Sequence, residues 1–408
     1  MSRTVNQATS PASAAAPQKH RPYAGQLTID LTALKANYKL CQRQVSEGEG
    51  GAGDGEDSTD RNSQAAIASA CQVAAAVKAD AYGIGMIEAA GALHEAGCRI
   101  FFVATLDEAL ALRGIFKDTD VTIAVLNGLQ KDCEEIFDFH SLTPVLNALE
   151  QVESWAQYSK RTRPYLKSII HFDTGMSRLG LDKTEQKILQ GKWPELQNWI
   201  DLDYVMSHFA CADEPDHPLT EQQFEDFQNA TDSFIFTKKS IANSSGIFRD
   251  RRFHCDMVRP GMCLYGLNPT PDIANPMQPV VRLDVPVLQL RRVQKGESVG
   301  YGASWVAQED TDIATIQLGY ADGFLRSLSN SGAVYWQNIA CPIIGRVSMD
   351  LTMISLAHIP AALRPKPNDR VEVIGPNRTP DDIAAEAGTI GYEILTSLGR
   401  RYQRVYVS

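Results

Sequence analysis

The stretch Val73-Ala74-Ala75-Ala76-Val77, followed by Lys78-Ala79-Asp80-Ala81-Tyr82-Gly83, decides how the rest of the chain is read. A short apolar run that stops at a lysine and a turn reads as a buried strand whose C-terminal end carries chemistry. Similar runs recur at Ile100–Ala104, Val121–Leu126, Thr143–Leu146, Leu166–Phe172, Leu202–Met206 and Phe236–Ser240. Helical patterns lie between several of them, at Met86–Ala96, Leu106–Phe116, Leu149–Tyr158 and Thr220–Phe234. Strand and helix taking turns argues for parallel βα units, and the repeat count is near the eight that closes a (β/α)8 barrel. The rival, a doubly wound open sheet, commonly carries a GxGxxG loop, and neither that string nor GxxxxGK[ST] occurs.

After Pro276 the texture changes. Val280–Val293, Ile313–Leu318, Ala333–Gln337, Pro342–Gly345, Leu351–Leu356 and Val371–Ile374 are short β-rich runs split by Gly, Pro and Asn. One helix, Pro380–Gly388, starts after the N-cap candidate Thr379. The expected fold class is therefore α/β: a (β/α)8 TIM-like barrel over residues 23–276, then a mostly β domain over 277–408. Residues 1–22, rich in Ser, Ala, Thr, Pro and Gln, read as a disordered tail, and 46–62, rich in Gly, Glu, Asp and Ser, as a flexible insertion.

Composition narrows the function. The 408 residues carry a formal net charge of -10, against the basic footprint of a nucleic-acid binder. No apolar run approaches a membrane span, and no signal-peptide h-region is present, so neither nucleic acid nor membrane is an expected partner and the cytoplasm is the expected compartment. Eight scattered cysteines without CxxC, and dispersed histidines without HExxH, give no metal site and suit a reducing compartment.

Chemistry-bearing strings stand at the ends of these strands. Lys78, flanked by apolar residues, is a candidate amine nucleophile. His171-Phe172-Asp173-Thr174-Gly175-Met176-Ser177-Arg178 stands at the end of another strand, and Arg178 can clamp a carboxylate or a phenolate. Ser207-His208-Phe209-Ala210 and Ala242-Asn243-Ser244-Ser245-Gly246 follow. Val258-Arg259-Pro260-Gly261-Met262 closes the alternating region, where Gly261 lets backbone N–H groups approach an anion. In the β-rich part, Tyr301 sits between glycines on a turn, with GYADG at 319–323 and GRVSMD at 345–350 downstream.

Taken together, VKADAYG, DTGMSRLG, SHFA, ANSSG, VRPGMCLYG, GYG, GYADG and GRVSMD resemble the alanine racemase family from about Arg21 to the end. The resemblance implies pyridoxal 5′-phosphate as cofactor, held covalently by Lys78, and interconversion of L- and D-alanine with D-alanine supplied for peptidoglycan. It implies two bases on opposite faces of the substrate Cα: Lys78 for the D-face and Tyr301, from the other subunit of a homodimer, for the L-face. Arg259 would face the cofactor's pyridine nitrogen. His208 would link that arginine to the tyrosine, bringing positive charge near the phenol. Tyr82, Ser244, Gly261 and Met262 match phosphate contacts, and Arg178 and the backbone of Met349 match substrate-carboxylate contacts. Tyr320, Arg326, Arg346 and Asp350 match the lining of an entry corridor. A racemase of broader amino-acid range on the same scaffold is the alternative, and a decarboxylase on a related barrel or a non-catalytic cofactor-binding protein are further ones.

Two departures from the family pattern matter. His171 stands where many members carry a lysine that becomes carbamylated and orients the arginine, so Arg178 needs another orienting partner, an anion or a rotated hydrogen bond. The C-terminal tyrosine that reaches the phosphate aligns with Arg400, beside Arg401 and Tyr402, which leaves that contact among these three open. Ile84 also replaces a frequent histidine.

Overall fold

The computed structural model describes residues 25–46, 71–117, 120–234 and 236–408. The tail at 1–22 and the insertion from residue 47 to 62 lie outside the described residues.

Seven parallel strands run in sequence order, from Ala75–Ala76 through Ile100–Val103, Thr122–Val125, Thr143–Leu146, Leu166–His171 and Ile200–Met206 to Lys238–Ser240. An eighth stave, Met257–Val258, bridges the two edges. The amides of Asp256 and Arg259 donate to the carbonyls of Lys239 and Ala242, both at 3.0 Å. The amides of Gln72, Ala74 and Ala76 donate to Asp256, Val258 and Pro260 at 2.9–3.0 Å. Hydrogen bonding therefore closes the (β/α)8 ring, and the eighth stave is one that periodicity alone did not single out, because only two residues have strand geometry.

Alternation along each stave sorts the core. Ala74, Phe102, Ala124, Val145, Ile169, Tyr204, Met206 and Met257 pack as one buried cluster inside the ring. Their neighbours Ala75, Phe101, Val103, Ile123, Val125, Leu146 and Ile170 face the helices. Small and large inward residues interleave, which fills the barrel and leaves the C-terminal ends of the staves as the place for a cavity.

The large sheet of the β domain has eight strands in the order Thr311–Ile316, Thr352–Ser355, Ile339–Ile344, Ala333–Trp336, Arg370–Ile374, Val281–Val293, Gln26–Asp30 and Gln403–Val407. The 13-residue strand Val281–Val293 carries an irregularity between Val287 and Gln289. It pairs with Arg370–Ile374 before that point and with Thr311–Ile316 beyond it, so six strands close on themselves. The N-terminal strand is a correction to the sequence reading. Gln26–Asp30 pairs with 281–284 and with Gln403–Val407, so it belongs to the β domain's sheet and not to the barrel. Its Leu27 and Ile29 are fully buried against that sheet. Asp30 then caps the helix Leu31–Ser46 by accepting from Ala33 N at 2.8 Å. The helix expected after Thr379 is present as Pro380–Ala387, with a full capping box and Gly388 in the left-handed region at φ 72°.

Candidate active site

A cavity of about 470 Å³ opens at the C-terminal ends of the staves. Lys78, Tyr82, Arg178, His208, Ser244, Arg259, Gly261 and Met262 all line it, together with His171, Asn243 and Tyr392. Three cations face this space, and no described carboxylate lines it. Such a site suits a ligand that carries negative charge at more than one point.

Lys78 follows its stave directly. Burial, and then the charge of Arg178, lower its pKa from the usual lysine value, while Glu108 opposes the shift. The next four residues, Ala79, Asp80, Ala81 and Tyr82, all have φ between 52° and 55°, which makes one left-handed helical turn. Each non-glycine residue there costs ~1–2 kcal/mol, so neighbouring structure must hold the turn. Internal bonds do part of this: Ala81 N donates to Val77 O at 2.9 Å and Gly83 N to Ala79 O at 2.8 Å. Asp80 Oδ1 accepts from Met86 N at 2.8 Å. The turn delivers the Tyr82 ring onto Tyr265, with centroids 4.6 Å apart, and its hydroxyl against Gly261. A Cβ on residue 261 would lie 2.5 Å from that oxygen, so only glycine fits.

Ser244 Oγ accepts from Gly261 N at 2.9 Å, which leaves its own proton free for an anion in the cavity. Tyr392 Oη donates to the thioether of Met262 at 2.7 Å, a weak acceptor that a phosphate oxygen would readily replace. Tyr392 is the residue that sequence reasoning missed. Arg400, Arg401 and Tyr402 do not line the cavity. Arg401 is engaged at 2.7 Å with both Asp322 and Asp350, and Tyr402 is buried beside Gly25. The available signal was the aromatic in the short helix Gly391–Thr396, just past the stop at Gly388.

Arg259 is buried. Its guanidinium donates to Ser240 Oγ and to Ser207 O, lies 3.4 Å from His208 Nδ1, and sits over the Phe102 ring. Burial lowers its pKa to about 10, which still leaves it charged at neutral pH. A guanidinium has no acceptor, so His208 Nδ1 must accept and its proton resides on Nε2. Burial and Arg259 hold the His208 pKa well below the usual value, so the ring is neutral.

His171 is fixed in the opposite tautomer. Asn147 Nδ2 donates to Leu126 O at 2.9 Å, which aims Asn147 Oδ1 at His171 Nδ1, 2.8 Å away. Nδ1 therefore carries the proton and Nε2 is an acceptor. Burial and then Arg259 push its pKa down to about 3. A neutral histidine adds no fourth positive charge to the cavity. Arg178 itself is exposed and makes no hydrogen bond or ion pair with another described residue, so its guanidinium is free for a ligand.

Two candidates stand apart. Tyr301 is 72% exposed and Met349 54% exposed, and neither lines the cavity of its own chain. They share a rim of the β domain with Tyr320 and Arg346. Tyr320 N bonds Ser348 O at 3.1 Å, Ala321 N bonds Met349 O at 2.9 Å, and a Cβ on Gly302 would touch the Arg346 guanidinium.

Family models match this architecture in both halves: alanine racemase, N-terminal domain, at residues 59–269, and alanine racemase, C-terminal domain, at 280–406. The chain belongs to the alanine racemase family. It is thereby a pyridoxal-phosphate-dependent racemase. A protein of Agrobacterium fabrum named "Alanine racemase, catabolic" is 45% identical over 94% of this chain and 92% of its own length. An alanine racemase of Acidiphilium cryptum is 47% identical over 83% and 92%. The crystal structure of alanine racemase from Bartonella henselae, with covalently bound pyridoxal phosphate, superposes with a TM-score of 0.86 at 36% identity, covering 95% of this chain and all of that one. The biosynthetic alanine racemase of Pseudomonas aeruginosa gives 0.82 at 32%, over 95% and 100%. The cofactor suits this cavity: an amine at one end, hydroxyl and amide donors around Gly261, and a buried guanidinium along one wall.

Among the described residues all eight cysteines are free thiols, no group of three or more His, Cys, Asp or Glu is arranged to hold a metal, and no helix is long and apolar enough to cross a membrane.

Proposed function

We propose that the chain interconverts L- and D-alanine with two bases that come from two copies of the chain in a homodimer. One observation carries this reading: the cavity contains a single amine, Lys78, while Tyr301 stands outside it on an exposed turn. Pyridoxal phosphate, when bound, supplies the electron withdrawal that acidifies the substrate Cα–H. Lys78 would hold the cofactor, and Tyr82, Ser244, Gly261, Met262 and Tyr392 its phosphate. Arg178 and the Met349 amide would hold the substrate carboxylate. Lys78 then moves a proton at the D-face of Cα and Tyr301 at the L-face.

Arg259 keeps its protons, so the atom it faces is hydrogen-bonded without being protonated. His208 takes the Arg259 hydrogen bond on Nδ1 and presents Nε2–H outward, the polarity needed to donate to a phenolate at Tyr301. The positive charge in this relay stays on Arg259. Tyr320, Arg326, Arg346 and Asp350 belong to the same rim as Tyr301 and would line the approach.

The product D-alanine would serve peptidoglycan synthesis in the cytoplasm, with no nucleic-acid or membrane partner. Consumption of alanine is a second reading, favoured by the word "catabolic" in the names of two relatives, from Agrobacterium fabrum and Mesorhizobium japonicum. Rescue of a D-alanine auxotroph separates the first from a strain that merely fails to grow on alanine. The division into a barrel up to residue 276 and a β domain from 277, with 26–30 joining the latter, is part of the same proposal. The reaction itself is tested by incubating the enzyme with L-alanine in D2O. Deuterated D-alanine is the expected product, and its absence overturns the reading. Comparable turnover of L-serine, L-lysine or L-arginine would replace it with the broader racemase.

A further inference from the structure

Glu108 lies on the helix Leu106–Ile115, which follows the stave next to Lys78. Its Oε2 accepts from Ala104 N at 2.7 Å and from Thr105 N at 3.2 Å, while Thr105 Oγ1 accepts from Glu108 N at 3.3 Å. That is a capping box, and a cap needs nothing more. The other carboxylate oxygen leaves its own helix. Oε1 accepts from Ala79 N at 2.7 Å, across to the neighbouring βα unit.

Ala79 is the first residue of the left-handed turn, and its N–H belongs to the peptide that Lys78 begins. The turn's internal bonds go to Val77 O, Ala79 O, Asp80 O and Ala81 O, and none of them uses the Ala79 amide. Without Glu108 this exposed amide would be left to solvent, which cannot hold it in place, at the point where the backbone leaves the ordinary region and the cost per residue is ~1–2 kcal/mol. One carboxylate thus ties together the end of the first stave, the end of the second, and the strained turn.

We propose that Glu108 is a positioning residue for Lys78: by binding the first amide of the left-handed turn it fixes the direction in which the lysine enters the cavity. The same carboxylate offsets the effect of Arg178 on the Lys78 amine. Tyr82, at the far end of the turn, is held independently by its stack on Tyr265 and its contact with Gly261, so the loss of Glu108 falls on Lys78 and spares the phosphate side. The inference rests on Lys78 being the lysine that holds the cofactor.

The test uses the full-length protein freed of cofactor and two ligands. Pyridoxal phosphate binds through both phosphate and aldehyde; 4′-deoxypyridoxine phosphate has ring and phosphate but no aldehyde. Glu108→Gln keeps the shape but sets an amide NH2 against one of the N–H groups. It is expected to weaken pyridoxal phosphate by about tenfold or more, the scale of a lost charge-assisted bond, and to leave the deoxy analogue within about twofold. Glu108→Asp keeps the charge, cannot span both staves, and is expected to act in the same sense; it carries the test if the glutamine variant does not fold. Thr105→Ala weakens the same helix cap and is expected to lower the melting temperature without changing the ratio of the two affinities. Proportional loss of both ligands, an unchanged ratio in the Glu108 variants, or an equal change in Thr105→Ala would overturn the proposal. Lys78→Ala is run beside them: persistence of its visible cofactor band would instead overturn the assignment of Lys78.

Discussion

The barrel mouth and the β-domain rim present opposite solutions to placing a reactive group. At the mouth most polar groups are prearranged: the lysine is half-buried at the end of its stave, two neutral histidines are locked in opposite tautomers, and Arg259 is enclosed by carbonyls and a serine. At the rim, Tyr301 and Met349 stand on short turns and are mostly exposed. A group that works alone is not left at 72% exposure on an otherwise ordered turn beside Arg346. The difference teaches that the folded chain builds a cofactor socket completely and leaves the proposed proton donor incomplete; in the proposed homodimer the second copy would supply the missing environment.

The largest expected effect is at the mouth. Lys78→Ala should abolish the visible absorbance of bound cofactor and cut racemisation by at least ~10³-fold, since in the proposed mechanism it removes both the attachment and one base. Absorbance spectra and single-enantiomer assays check this. At the rim, Tyr301→Phe should leave the cofactor spectrum intact. It should slow Cα–H exchange of L-alanine by ~10²–10⁴-fold and that of D-alanine far less. Equal losses for the two enantiomers, measured by deuterium uptake, would break the division of labour between the two regions.

Smaller effects sharpen the account of the socket. Gly261→Ala forces Cβ against Tyr82 Oη and should weaken pyridoxal phosphate by about tenfold, a strain of 1–2 kcal/mol, with little change at the rim. His171 gives a pH signature. Its folded pKa of about 3 lies below the unfolded value, so between these values the unfolded chain binds more protons and stability falls as pH drops from about 6.5 toward 3. His171→Gln should remove ~2 kcal/mol of the stability difference between pH 7 and pH 5, read by urea melts at each pH. A slope unchanged by the substitution would count against a neutral His171.

Much of this was legible in the sequence because each active-site string ends a stave. A strand run followed within a few residues by Lys78, Arg178, His208, Ser244 or Arg259 fixes both the element and the end of the barrel where the residue stands. What was not legible depends on tertiary partners. The left-handed turn at 79–82 has no glycine to announce it, and its support comes from Glu108 on another βα unit. The strand Gln26–Asp30 precedes a helix as a barrel strand would, yet its hydrogen bonds go to residues more than 250 positions away. Tyr392 was passed over because the aligned position fell on Arg400, eight residues on, and because its helix, six residues long, has little periodicity.

The central claim is that cavity and rim come from different copies, and mixing two inactive variants tests it most directly. Lys78→Ala and Tyr301→Ala are each expected to be inactive as homodimers. After subunit exchange, a mixed dimer has one site with both defects and one site with both native residues. The account expects alanine racemisation to return, approaching about a quarter of the wild-type rate when half the dimers are mixed. Restoration of nothing, with subunit exchange verified by mass, would contradict it.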